Sequence, residues 1–195
     1  SPLEHTLIYF CLTLRDKSWT ALGLDNHREA PLSSLAVNDD VDLRGIEWRN
    51  GQYDVGALGR IYTGDEARAR KILAALSDKV SDLDAMKALG FCATVDHAHF
   101  MAEVFNRAKV PAAVVVGDTG SEERAAAFRD LRAGTLKVLF GVDVFNEGLD
   151  IPEVNTVLFL RPTQSATIFL QQLGRGLRRS PTKSVLTALD FVGHQ

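Results

Sequence analysis

The sequence predicts an α/β domain, a parallel β-sheet flanked by helices, over residues 61–195, behind an irregular N-terminal extension or linker over residues 1–60. Three observations predict it. From Ala88 onward, short apolar runs alternate with segments of helical spacing, the order that βαβ units require. Those runs are apolar without alternation, as in strands covered on both faces. The chain has 195 residues and 46% apolar content, enough for one real core.

The elements follow in order. "GDEARARKILAALSDKVSDLDAMKAL" reads as one or two helices. "ALGFCAT" is a strand run ending at Thr94. In "DHAHFMAEVFNRA", Ala98, Met101, Ala102, Phe105 and Ala108 fall on one helical face. "PAAVVV" is a buried strand. "SEERAAAFRDLRAG" opens on Ser121 and two acids and stops at Gly134, a complete helix signature. "LKVLFGV" and "NTVLFL" are strands, "TQSATIFLQQLGRGLRR" is a helix, and "SVLTALDFV" is a last strand. Earlier in the chain, "DDVDLRGIEWRNGQYDVGALGRIYTG" is irregular and polar, a linker with Trp48 as an anchor. Residues 1–37 carry one alternating apolar stretch and no functional motif.

The net charge is −3, from 22 basic and 25 acidic residues, which excludes a bulk polyanion binder. The charges are unevenly placed. Arg161, Arg175, Arg178, Arg179 and Lys183 span a stretch without an acid, whereas the stretch from Asp118 to Glu153 is strongly acidic. A local basic face on an acidic domain suits an anionic ligand at one site. Two cysteines, Cys11 and Cys92, give no disulfide framework and too few thiolates for a metal site, so a reducing, cytoplasmic setting is expected. The run "TLIYFCLTL" is too short to span a bilayer, and no membrane partner or signal peptide is expected.

In parallel sheets, ligands sit at the carboxyl ends of the strands, so "TVDHA", "VGDTGSEER", "GVDVFNEGLDIP" and "LRPTQSA" are the segments to inspect. The helix "FLQQLGRGLRR" is odd in itself. Gly174 and Gly176 each cost about 1 kcal/mol against alanine in a helix interior. Gln171, Arg175 and Arg178 fall at i, i+4 and i+7, on one face. Their planar guanidinium groups match phosphate oxygens, and glycine admits close approach. The plain alternative is a solvated basic helix end. In "VDVFNEGLDIP", Glu147 and Asp150 flank Gly148 directly after a strand. They can accept hydrogen bonds from ribose hydroxyls or hold an arginine, or Asn146 can cap a turn with Glu147 solvated.

Taken together, in this order and spacing, these segments resemble motifs IV, V and VI of superfamily 2 helicases and translocases, in the branch of excision-repair and type III restriction enzymes. Gln171, Gly174, Arg175 and Arg178 match the Q-x-x-G-R-x-x-R of motif VI. "FNEGLDIP" is similar to motif V, and "GFCATVDHA" to motif IV with Thr94 and a His97–Ala98 pair. The resemblance covers about residues 40–192. It implies the C-terminal, second RecA-like domain of a P-loop-type, ATP-dependent DNA or RNA helicase. Such a domain closes over ATP and Mg2+ held by a first RecA-like domain, a lobe that this sequence does not contain.

On that resemblance, Arg175 and Arg178 are the catalytic fingers reaching the γ-phosphate. Glu147, Gly148, Asp150, Gln171 and Gly174 face the nucleotide. Thr94, His97, Gly117, Asp118, Gly141 and Arg161 face nucleic acid. There are departures: Gly141 stands where members carry a threonine, offering an amide and no hydroxyl, and Gln172 stands where many carry an arginine. The sequence has no G-x-x-x-x-G-K-[ST] and no acidic box after a strand, so the chain alone is expected to hydrolyse no ATP. The alternative is a RecA-like module that binds nucleic acid or a partner protein without catalysis.

Other residues have plainer readings. Cys92, inside an apolar run, packs as a small hydrophobe rather than as a thiol–imidazole dyad with His97. His97 and His99 point to different helix faces, against a metal. Arg124 pairs with Asp118 or Glu122.

Overall fold

A computed structural model describes residues 32–49, 52–145, 151–162 and 186–194. Its centre is a six-stranded sheet in which every pair is parallel. The strands are β1 (Leu32–Asp42), β4 (Ala88–Phe91), β5 (Ala112–Val115), β6 (Val138–Gly141), β7 (Thr156–Phe159) and β8 (Leu186–His194), in the spatial order β1-β8-β7-β4-β6-β5. A two-residue antiparallel pair, β2 (Trp48–Arg49) and β3 (Gln52–Tyr53), stands apart from it. The helices are α1 (Val55–Tyr62), α2 (Glu66–Lys79), α3 (Val95–Arg107) and α4 (Ser121–Ala133).

The unbroken apolar runs have a direct cause. Successive strand residues point to opposite faces, and both faces are covered. Ala88, Val138, Phe140, Leu158, Leu189 and Phe191 meet Ile72 and Leu76 of α2 and Met101 and Phe105 of α3. On the other face, Leu89, Leu139, Val157, Phe159 and Ala188 meet Phe128 and Leu131 of α4. Each Val, Leu, Ile, Met or Phe among them contributes about 1.5–3 kcal/mol on burial. The stripe expected on α3 is buried at Ala98, Met101, Ala102 and Phe105. Ala108 departs from it, because the helix has ended there and Ala108 is the exposed C-cap.

The stretch read as an irregular extension is more ordered than expected. β1 joins the sheet beside β8, in register from Leu32–Leu186 to Asn38–Val192. The residue-60 boundary falls inside α1, whose Leu58 and Tyr62 share a small core with Val41, Leu43, Ile46 and Ala93. Asp54 starts α1 by accepting the Ala57 N–H. Trp48 is not a buried anchor: it is half exposed and meets Tyr53 edge-on, with ring centroids 4.7 Å apart.

Candidate functional site

Because β7, β4, β6 and β5 are parallel neighbours in that order, the segments leaving their carboxyl ends lie side by side on one edge. They are 160–162, 92–94, 142–145 and 116–120. Thr94, His97, Gly117, Asp118, Gly141 and Arg161 of the sequence-derived site are brought to this end of the sheet. Glu147, Gly148, Asp150, Gln171, Gly174, Arg175 and Arg178 lie outside the described residues.

After β4 the chain enters α3 at Thr94, whose extended backbone (φ −138°, ψ 165°) suits an N-cap. Its Oγ1 accepts the His97 N–H at 3.1 Å. Gly59 of α1 sits against the same side chain. A Cβ built there would lie 2.5 Å from Thr94 Cγ2, so only glycine allows this approach. Thr94 stays half buried at the edge.

His97 corrects the sequence reading. It is fully buried in the first turn of α3 and offers nothing to nucleic acid. The Ala93 N–H donates to its Nδ1 at 3.2 Å, and its ring lies 5.2 Å from that of Tyr62. Burial, and then the nearby Arg68 charge, push its pKa down to about 3. The ring is therefore neutral, with its proton on Nε2. The helical period contained the signal, since His97 lies one turn before Met101 on the buried stripe.

Arg68 was missed in the sequence. It is a cation in the apolar stripe of α2, four residues before Ile72 and eight before Leu76, and that spacing was the available sign. Its guanidinium stacks 4.0 Å above the Tyr62 ring, and its Nη2 donates to the Leu160 carbonyl at 2.9 Å, at the exit of β7.

The β5–α4 turn keeps Gly117 and Asp118 exposed. Thr119 Oγ1 accepts the Val116 N–H at 2.9 Å. Arg124, expected to pair with Asp118 or Glu122, instead donates from Nη2 to the Val116 carbonyl at 3.0 Å. A backbone acceptor inside a tight turn competes well with an exposed carboxylate, whose ion pair is worth little in water.

Gly141 also departs from expectation. It is buried at the end of β6, and its carbonyl accepts the Cys92 N–H at 2.9 Å. The chain turns back so sharply that a Cβ there would lie 2.7 Å from the Phe145 ring and from Val144 Cγ2. Two side chains fill the space that a side chain at position 141 would need, so glycine fits there and a larger residue would have to displace them. Two residues on, Asp143 adopts φ 52° and its Oδ1 accepts from Arg161 Nη2 at 2.5 Å. The Arg161 side chain is 27% exposed and that of Asp143 61%. Cys92 packs beneath as a fully buried thiol, and burial pushes its pKa far up, so it is no nucleophile.

The helicase conserved C-terminal domain family matches residues 70–180. The chain is 26% identical over 165 residues to the putative ATP-dependent helicase IRC3 of Saccharomyces cerevisiae, covering 85% of this chain and 24% of that protein. It is 29% identical over 167 residues to a 51.5 kDa protein of a Lactococcus phage, covering 84% of this chain and 35% of that one. The chain thus spans well under half of either relative. Its fold is similar to that of the yeast DEAD-box splicing factor Prp28, with a TM-score of 0.58 and 17% identity over 85% of this chain and 30% of that one. Among the described residues, no helix is long and apolar enough to cross a membrane.

Proposed function

This chain belongs to the helicase conserved C-terminal domain family, and from that premise we propose that it works as the second RecA-like domain of an ATP-driven helicase or translocase on DNA or RNA. The observation that carries the reading is topological. The segments that resemble motifs IV and V leave neighbouring parallel strands, β4 and β6, at one sheet edge, and β7, the described strand that precedes the motif VI segment in the sequence, ends at that same edge. That edge is where ligands of open α/β sheets bind.

In this proposal ATP and Mg2+ are held mainly by a first RecA-like domain. Arg175 and Arg178 reach the γ-phosphate as its charge spreads in the transition state. Gln171 and Gly174 place that helix, while Glu147, Gly148 and Asp150 face the ribose. Thr94, Gly117 and Asp118 present turns and a helix start to the nucleic-acid backbone, a contact that reads no sequence. His97 and Gly141 leave this list because both are buried, and Arg161 leaves it because its guanidinium is paired with Asp143. A cytoplasmic location is part of the proposal.

The test is made in the protein that joins this domain to a phosphate-loop lobe. Arg175→Ala or Arg178→Ala is expected to lower nucleic-acid-stimulated ATP hydrolysis by roughly 10³–10⁵-fold while ATP binding persists. Unchanged hydrolysis removes the finger assignment and favours a non-catalytic binding module, the reading to which the buried Gly141 lends some weight.

A further inference from the structure

We propose that Asp143 and Arg161 form a clasp between the β6 and β7 exits, and that they are positioning residues for hydrolysis. The inference rests on the reading above, because what the clasp would align are the candidate nucleotide-facing segments. Glu147 follows Asp143 by four residues, and Gln171 follows Arg161 by ten.

The topology creates the need. β6 and β7 are not neighbours, for β4 runs between them, and sheet hydrogen bonding therefore never ties one to the other directly. With strands spaced about 4.8 Å apart, the two exits start roughly 10 Å from each other. The Arg161–Asp143 ion pair crosses that gap over the end of β4.

Each arm of the clasp is built on the last residue of β4. Leu160 donates its N–H to the Phe91 carbonyl at 3.0 Å and accepts from Arg68 at 2.9 Å, so Arg161 leaves a fixed point. On the other side, Phe145 packs edge-on against Phe91, with centroids 5.2 Å apart, and closes over Gly141. Between them Asp143 is held in the left-handed region, which non-glycine residues enter only at a cost and which Asp tolerates better than most. The packing thus aims a carboxylate at a guanidinium from an anchored loop.

A half-exposed ion pair adds little to global stability. It can still fix relative placement, and a misplacement of about 1 Å near the chemistry costs on the order of 100-fold in rate. Stability and turnover should therefore separate. The experiment uses the full protein that carries this domain, with oligo(dT) and poly(U) as stimulating strands. Asp143→Asn and Arg161→Gln are each expected to lower kcat for ATP at least ten-fold, with KM for ATP within about two-fold. The double variant should lose no more than either single one, and Arg161→Lys should recover part of the rate.

Multiplicative losses in the double variant would overturn the clasp. So would a case in which Arg161→Gln raises the half-saturating strand concentration while Asp143→Asn does not, for Arg161 would then be gripping phosphate directly. The control is Arg175→Ala. If it leaves hydrolysis intact, the finger reading falls, and the clasp's role in hydrolysis with it. If it abolishes hydrolysis while both clasp variants remain at full rate, the clasp alone falls.

Discussion

Two junctions lie on the same sheet edge and are built in opposite ways. The β4–α3 junction is closed around His97, with Thr94 at its half-buried rim. Thr94, His97 and Tyr62 interlock with Gly59; Thr94 Oγ1 accepts the His97 N–H and His97 Nδ1 accepts the Ala93 N–H, while His97 Nε2 is sealed in without a hydrogen-bond partner among the described residues. The β6 and β7 exits are open, and an ion pair between two half-wet side chains joins them. Both carry residues with the chemistry of a binding site. What separates them is solvent. A group sealed from water is a structural part whose charge state is locked, whereas a group at the rim can exchange its partner for a ligand.

The sharpest way to break that contrast is acid. The His97 pKa falls from 6.5 when unfolded to about 3 when folded. The unfolded chain thus binds the extra proton between those values, and the stabilisation is complete above pH 6.5 and lost as the pH falls toward 3. The slope from this one group is about 1.4 kcal/mol per pH unit, on the order of 3 kcal/mol by pH 4. Urea denaturation from pH 7 to 4 should show a flatter profile for His97→Gln than for the wild type. Parallel profiles would mean that His97 is solvated after all.

A smaller effect comes from two glycines of α1. At Gly56 an added Cβ meets Asp54 and Arg60 at ordinary distances of 3.4 and 3.6 Å. Gly56→Ala should therefore gain up to about 1 kcal/mol of helix propensity. At Gly59 the same gain is opposed by overpacking against Thr94, worth about 1–3 kcal/mol, and the net is a loss of about 1 kcal/mol. Thermal unfolding of the two variants should move in opposite directions. A shift in the same direction would mean that the junction is loose.

The smallest stability effect belongs to the open pair. Asp143→Asn or Arg161→Gln should change the unfolding free energy by less than about 1 kcal/mol. A loss of several kcal/mol would show that this pair, too, is sealed inside.

The sequence made the central sheet and α3 legible because burial on both faces leaves a strong local trace. Runs such as "ALGF" and "VLFG" and the stripe from Ala98 to Phe105 need no distant information. α1 was illegible for the opposite reason. "VGALGRIY" has two helix-weakening residues, and one is required by Thr94, 35 positions later in the chain. β1 was hidden because "LSSLAVNDDVD" mixes polar and apolar residues, and its pairing partner lies near the other end of the sequence. At the site, residue types were readable and exposure was not. Arg161 and Asp143, 18 positions apart, leave no local pattern that joins them.

The strand next to β8 has one practical consequence. The first strand caps the hydrogen-bonding groups of β8 over most of its length. A protein truncated at residue 60, where the sequence suggested a domain start, would strip that cover and leave a long bare ladder ready to zip onto a second molecule. Expression from residue 32 or earlier would keep the β8 ladder paired.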